Sequence, residues 1–129
     1  MAKNKVVKRP AAAEIAILTV LWDRGELAVP EIWEALKDER GTGYTTILKQ
    51  LQVMETKGLV SAEKKRRPYV YRAEVPEDGT KRRLLDDFAN SVFGGSLSNL
   101  AMKALSHGRP SRKELEEIRK LLDKLEKQK

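Results

Sequence analysis

The chain of 129 residues contains no cysteine, which excludes disulfides, thiolate metal sites and cysteine nucleophiles and suits a reducing compartment, the cytoplasm. Its single histidine, His107, lies beside Gly108 and close to Pro110, and with no second histidine it reads as a loop residue, so no metal is expected. Long hydrophobic runs are missing too. The longest, Ile15 to Trp22, is interrupted by Thr19 and falls far short of the ~20 residues that a membrane span needs, so no membrane insertion is expected. The basic start, Met1 to Arg9, reaches Pro10 and Glu14 before any signal-like apolar core develops. No phosphate-cradling GxxxxGK or GxGxxG pattern occurs, and Asp86 and Asp87 are adjacent on a helix, where their side chains diverge by about 100°. These absences leave no catalytic constellation. The chain is not expected to be an enzyme or to hold a cofactor.

What the sequence has in excess is positive charge. Lys and Arg number 26 against 19 Asp and Glu, a formal net charge of +7, which favours a polyanionic partner, either nucleic acid or an anionic membrane surface. The stretch Gly43 to Gly58 points to the first. At helical spacing Tyr44, Ile47, Leu48, Leu51 and Met54 gather on one side, and Thr45, Thr46, Lys49, Val53 and Thr56 gather opposite, with Gln50 at the margin. Threonine hydroxyls, an amide, an ammonium and a small apolar group can meet phosphates, base edges and a thymine methyl. Taken alone, the same pattern also fits an ordinary amphipathic surface helix.

The segments around it decide between those readings. Residues 1–9 read as a basic flexible arm. A first helix is expected over Ala11–Trp22, with Ile15, Leu18 and Trp22 on one face and Ile17 and Leu21 extending it. Asp23-Arg24-Gly25 forms a turn, and Glu26–Val29 a short extended segment. Pro30 then opens a second helix carrying Ile32, Trp33 and Leu36. After Gly58 the period changes to 2: Leu59–Lys64 and Tyr69–Ala73 read as strands flanking Lys64, Lys65, Arg66 and Arg67. Tyr69 and Tyr71 suit packing on the core better than stacking on RNA bases. Helix, short strand, helix, helix and a hairpin with a basic tip is the order of a winged helix-turn-helix, in which the third helix enters a major groove and the wing lies along phosphates. A rival is a winged-helix adaptor for a protein partner, but a polar, cationic third helix suits double-stranded DNA better than a protein hot spot.

The fold class expected is mainly α (α+β), with the winged helix over residues 10–75 and a three-helix dimerisation region over 76–129. Glu74–Gly79, with Pro76 and Gly79, reads as a linker or domain boundary. Leu84, Leu85, Phe88 and Val92 follow helical spacing, Gly94-Gly95 stops that helix, and Ser96 caps a segment containing Leu97, Leu100 and Leu105. Ser111 with Glu114 forms a capping box ahead of Leu115, Ile118, Leu122 and Leu125, whose 3-4-3 spacing marks a helix seam. A buried apolar side chain contributes ~1.5–3 kcal/mol, against an ordering cost of ~1.5 kcal/mol per residue. Three short helices therefore need something to fold against. A second copy would also set two heads about 34 to 36 Å apart, the spacing that reads a palindrome. The alternative is that these helices pack back on the first domain in a monomer.

With these residues laid out, the chain resembles the BlaI/MecI/CopY family, the penicillinase and methicillin-resistance repressors of bacteria, over nearly its whole length. The matching segments are Glu14-Ile15 through Leu21-Trp22, Tyr44-Thr45-Thr46-Ile47 through Lys57-Gly58-Leu59-Val60, Tyr69-Val70-Tyr71, and Phe93-Gly94-Gly95-Ser96. The resemblance implies a homodimeric repressor on a dyad-symmetric operator, often built from TACA and TGTA half-sites, and control by release. Copper-responsive members carry a C-terminal cysteine cluster, which this chain lacks. In the antibiotic-responsive branch a membrane sensor and protease system leads to cleavage in the helix after the glycine pair. The matching bond here is Lys103–Ala104, where well-known members have an asparagine followed by a phenylalanine.

Overall fold

The computed structural model describes residues 10–129, so the arm expected over 1–9 lies outside the described residues. The chain runs α1 (Ala12–Arg24), β1 (Leu27–Ala28), α2 (Val29–Arg40), α3 (Tyr44–Lys57), β2 (Val60–Glu63), β3 (Val70–Ala73), α4 (Glu77–Val92), α5 (Leu97–Gly108) and α6 (Arg112–Lys127). It divides into two compact units, one of residues up to Leu84 and one of Leu85–Lys129.

In the first unit the helix ends follow local chemistry. The Glu14 carboxylate accepts the Ala11 N–H at 2.9 Å and the Glu31 carboxylate accepts the Ala28 N–H at 2.8 Å, satisfying donors that a helix start leaves free. Pro30 occupies the first turn of α2, where no N–H is required. Gly58 ends α3 at φ 82°, a left-handed geometry in which its N–H reaches Met54 O and Glu55 O. That reversal turns the chain straight from α3 into β2.

The core of this unit joins Ile17, Leu18 and Leu21 of α1, Val29, Ile32 and Leu36 of α2, Ile47, Leu51 and Met54 of α3, and Leu59, Val60 and Tyr71 around the sheet. The sheet is antiparallel in the order β1-β3-β2, with Leu27 opposite Tyr71 and Val60 opposite Ala73. Trp22 donates its indole N–H to Val75 O at 2.9 Å, tying α1 to the chain leaving the sheet. Tyr71 lies inside the core and Tyr69 packs half-buried at its edge.

Several expectations shift. The buried face of α1 centres on Ile17, Leu18 and Leu21, with Ile15 and Trp22 only half-buried, and the helix runs on through Arg24 before Gly25 stops it. Val29 is the first residue of α2, not the end of an extended segment. Glu74–Gly79 is no linker, because α4 starts at Glu77 and contains Gly79. Pro76 marks that start: its carbonyl accepts both the Thr80 N–H and the Thr80 hydroxyl. Glu77 and Asp78 favour the positive helix end and pair at i,i+4 with Lys81 and Arg82. The two compact units part inside α4, at Leu84 and Leu85, later than the sequence boundary near residue 75.

In the second unit Ser96 Oγ accepts the Asn99 N–H at 3.0 Å and caps α5. α5 runs to Gly108, so His107 stands in its last turn and not in the loop expected for it. The capping box at α6 is reciprocal, with Glu114 N–H on Ser111 Oγ at 3.1 Å and Ser111 N–H on Glu114 Oε1 at 2.8 Å. The Ser111 backbone N–H, with the Ser111 hydroxyl second, holds the Glu114 carboxyl below its ordinary range.

The one-sided burial of α3 gives a direct test. Leu51→Ala, at a fully buried position, is expected to lower stability by ~2–5 kcal/mol. Lys49→Ala, on the exposed side of the same helix, should change it by less than ~0.5 kcal/mol. Urea midpoints of the two variants check the contrast.

Candidate nucleic-acid interface

The core grips α3 along Ile47, Leu51 and Met54, so the opposite side of the helix is left in solvent. Thr45, Thr46, Lys49 and Val53 are exposed, Val53 to 49%, and Gln50 is half-buried at the margin. Gln52 is exposed on the same side, a position the sequence reading passed over although it stands three residues after Lys49. Thr56 is exposed too, but its hydroxyl is already donated to Gln52 O at 3.2 Å.

Tyr44 departs from its expected core placement. It stands 39% exposed at the start of α3, with its ring edge-on to Trp33 at 6.1 Å. Trp33 donates its indole N–H to Thr42 O at 3.0 Å and carries the Lys37 ammonium 4.8 Å from its ring. A tyrosine in the first turn of a helix lies at the rim of the domain, where its phenol remains wet while one ring edge packs.

Two ion pairs fix α3 at its far end. Glu14, only 6% exposed, accepts the Lys57 ammonium through both oxygens, at 3.1 and 2.9 Å. Glu55 pairs with Lys64 at 3.0 Å. Both were invisible as pairs in the sequence, because each joins segments that meet only once the chain has folded.

Lys64, Lys65, Arg66 and Arg67 lie exposed between β2 and β3, as expected for a wing, but their surroundings differ. Lys64 stands 5.8 Å and Arg67 5.4 Å from the Tyr69 ring centre, both within cation–π reach. The Glu55 hydrogen bond, as the leading cause, raises the Lys64 pKa above its ordinary value. Among the described residues no ion pair or side-chain hydrogen bond involves the charged ends of Lys49, Lys65 or Arg66. These three cations are the free ones on the α3 and wing surfaces.

In the second unit, Phe88, Val92, Leu97, Leu115, Leu122 and Leu125 are exposed, and Leu100 and Ile118 are half-buried. Phe88 and Phe93 pack edge-on at 5.8 Å, and Ala89 is the one buried hydrophobic residue of this unit. Lys103 and Ala104 are exposed within α5. No helix among the described residues is long and apolar enough to cross a membrane.

Known proteins share this arrangement. A structure of the DNA-binding domain of the repressor BlaI superposes with a TM-score of 0.51 at 23% identity, covering 57% of this chain and 90% of that one, and so shares its winged-helix fold. The methicillin resistance regulatory protein MecI of Mammaliicoccus sciuri is 24% identical over 114 residues, 88% of this chain and 93% of MecI. MecI of Staphylococcus aureus strain N315 is 23% identical over the same shares. The profile of the penicillinase repressor family matches residues 10–124, a span that takes in the winged helix and α4, α5 and nearly all of α6. The chain therefore belongs to the penicillinase repressor family.

Proposed function

We propose that this chain is a transcriptional repressor of the cytoplasm that binds palindromic, double-stranded operator DNA as a homodimer, without catalytic activity or cofactor. The observation that carries the reading is the set of unpaired cations, Lys49 on α3 with Lys65 and Arg66 on the wing, in a domain folded like the DNA-binding domain of BlaI. Each phosphate that such a cation neutralises releases counterions, which makes affinity fall with salt. Thr45, Thr46, Lys49 and Gln50 supply donors and acceptors for base edges, and Val53 offers a methyl surface to thymine. Lys65, Arg66 and Arg67 supply the sequence-independent grip on the backbone.

The second unit supports the dimer. Phe88 is 53% and Leu122 56% exposed, and Val92, Leu97, Leu115 and Leu125 are exposed too, large apolar side chains of the kind that a partner surface covers. α6 follows a coiled-coil seam with mixed charges on its flanks, so a second copy supplies a matching surface by two-fold symmetry. Two linked heads gain affinity through effective concentration, so anything that separates them releases the operator. Cleavage at Lys103–Ala104, by a protease answering a membrane sensor, would do so by detaching α6.

Arg66→Gln is expected to weaken binding to all duplexes alike and to reduce the salt slope by ~1. Lys49→Ala is expected to cost ~1–3 kcal/mol on the preferred sequence and to relax preference at one position. Fluorescence anisotropy across a salt series distinguishes the two, and a parent protein with no salt-sensitive affinity for any duplex would sink the reading. Leu122→Ala is expected to weaken dimerisation by ~2–5 kcal/mol without altering the first unit's fold, as measured by sedimentation. A parent that sediments as a monomer at tens of micromolar would contradict the dimer. For release, immunoblots of induced cells should show a fragment ending at Lys103, and full-length protein alone would contradict cleavage.

A further inference from the structure

The Glu55–Lys64 pair joins the last turn of α3 to the first residue after β2, so it spans the two surfaces that the DNA reading assigns to groove and backbone. The Lys64 ammonium lies 3.0 Å from Glu55 Oε2 and also over Tyr69, whose ring packs against the core. Arg67, at the other end of the loop, rests on that same ring. Tyr69 is held in turn, because its carbonyl accepts the Val29 N–H at 3.3 Å. Glu63 Oε2 accepts the Lys65 N–H at 3.2 Å and bends the chain just past the pair. The wing thus has a fastened base and a free tip.

We propose that Glu55 and Lys64 are positioning residues for DNA binding, which set the wing against α3 and leave phosphate contact to Lys65, Arg66 and Arg67. The inference deepens the proposed function and rests on it. An ammonium held by a carboxylate at 3.0 Å would have to share or give up that pairing to meet a phosphate, so it gains less there than a free cation. A lone Glu55 beside DNA would repel the backbone, so the partner that keeps it harmless cannot be released without cost. Lys64 belongs to the contiguous basic run by sequence but to the α3 attachment by geometry.

The test compares Glu55→Gln, Lys64→Gln, the double exchange of Glu55→Lys with Lys64→Glu, and Arg66→Gln. In the DNA-free full chain, 15N NOE values at the amides of Lys65, Arg66 and Arg67 should fall in the Glu55→Gln and Lys64→Gln variants and recover in the exchange. With a duplex selected by the parent chain from a random pool, and a scrambled duplex as reference, each of these two single variants should lose roughly 2- to 5-fold in preference, the size expected for an exposed pair. The exchange should restore it. Lys64→Gln should keep the parent salt slope, whereas Arg66→Gln should lower it by ~1. A drop of ~1 for Lys64→Gln makes Lys64 a phosphate contact and overturns the proposal. So does unchanged wing order in both single variants, whatever the parent binds. A parent that selects no duplex overturns the DNA reading itself, and that result is seen before any variant is made.

Discussion

Everything in the first unit depends on α3 being held along one face only. Ile47, Leu51 and Met54 are buried against α1, α2 and the sheet, and apolar burial of this kind fixes the rotation of a helix about its axis. Once that rotation is fixed, Thr45, Lys49, Gln52 and Val53 have nowhere to go but outward. A helix buried on two sides could not present such a surface, and one held less firmly would present it in several orientations. The Glu14–Lys57 pair and the Gly58 reversal add a second constraint at the far end, so the helix is held in rotation by the core and at its exit by charge and backbone geometry.

The electrostatics of this unit depend on which cations the fold itself engages. Lys37 pairs with Glu34, Lys57 with Glu14, Lys64 with Glu55, and Arg72 with Glu74 and Glu26. Glu74 is held below its ordinary range chiefly by the Ser61 hydroxyl, with Arg72 second. The net charge of +7 is therefore a poor guide to the surface an anion would meet. On α3 and the wing, Lys49, Lys65 and Arg66 remain. On the α3 and wing surfaces, acids on neighbouring elements engage Lys57 and Lys64 and leave these three free.

The second unit follows a different physical rule. Its helices have sound local caps at Ser96 and Ser111, yet its large side chains are mostly in solvent, with Ala89 alone buried. Local hydrogen bonds define where these helices begin without giving them a core. Such a segment has secondary structure specified by its own sequence and a tertiary environment that must come from outside it. The break between units within α4 is consistent with that, since a continuous helix carries the chain from a region with a core to a region without one.

Periodicity made much of this legible in advance. The alternation after Gly58 marked the wing, the spacing of Ile47, Leu51 and Met54 marked the inner face of α3, and Ser111 with Glu114 marked the start of α6. Misplacements fell where local pattern and global packing compete. Tyr44 carries the right spacing for the core but stands in the first turn at the domain's rim, and Pro76 with Gly79 reads as a break although the acids between them start a helix. The sequence by itself determined the order of helices and strands and the inner face of α3, because those properties are set by residues a few positions apart. Only the tertiary structure decided that Glu14 meets Lys57, that Trp22 meets Val75 and that Lys64 pairs with Glu55. Pairing between distant segments depends on where the folded chain returns in space, and no local period carries that information.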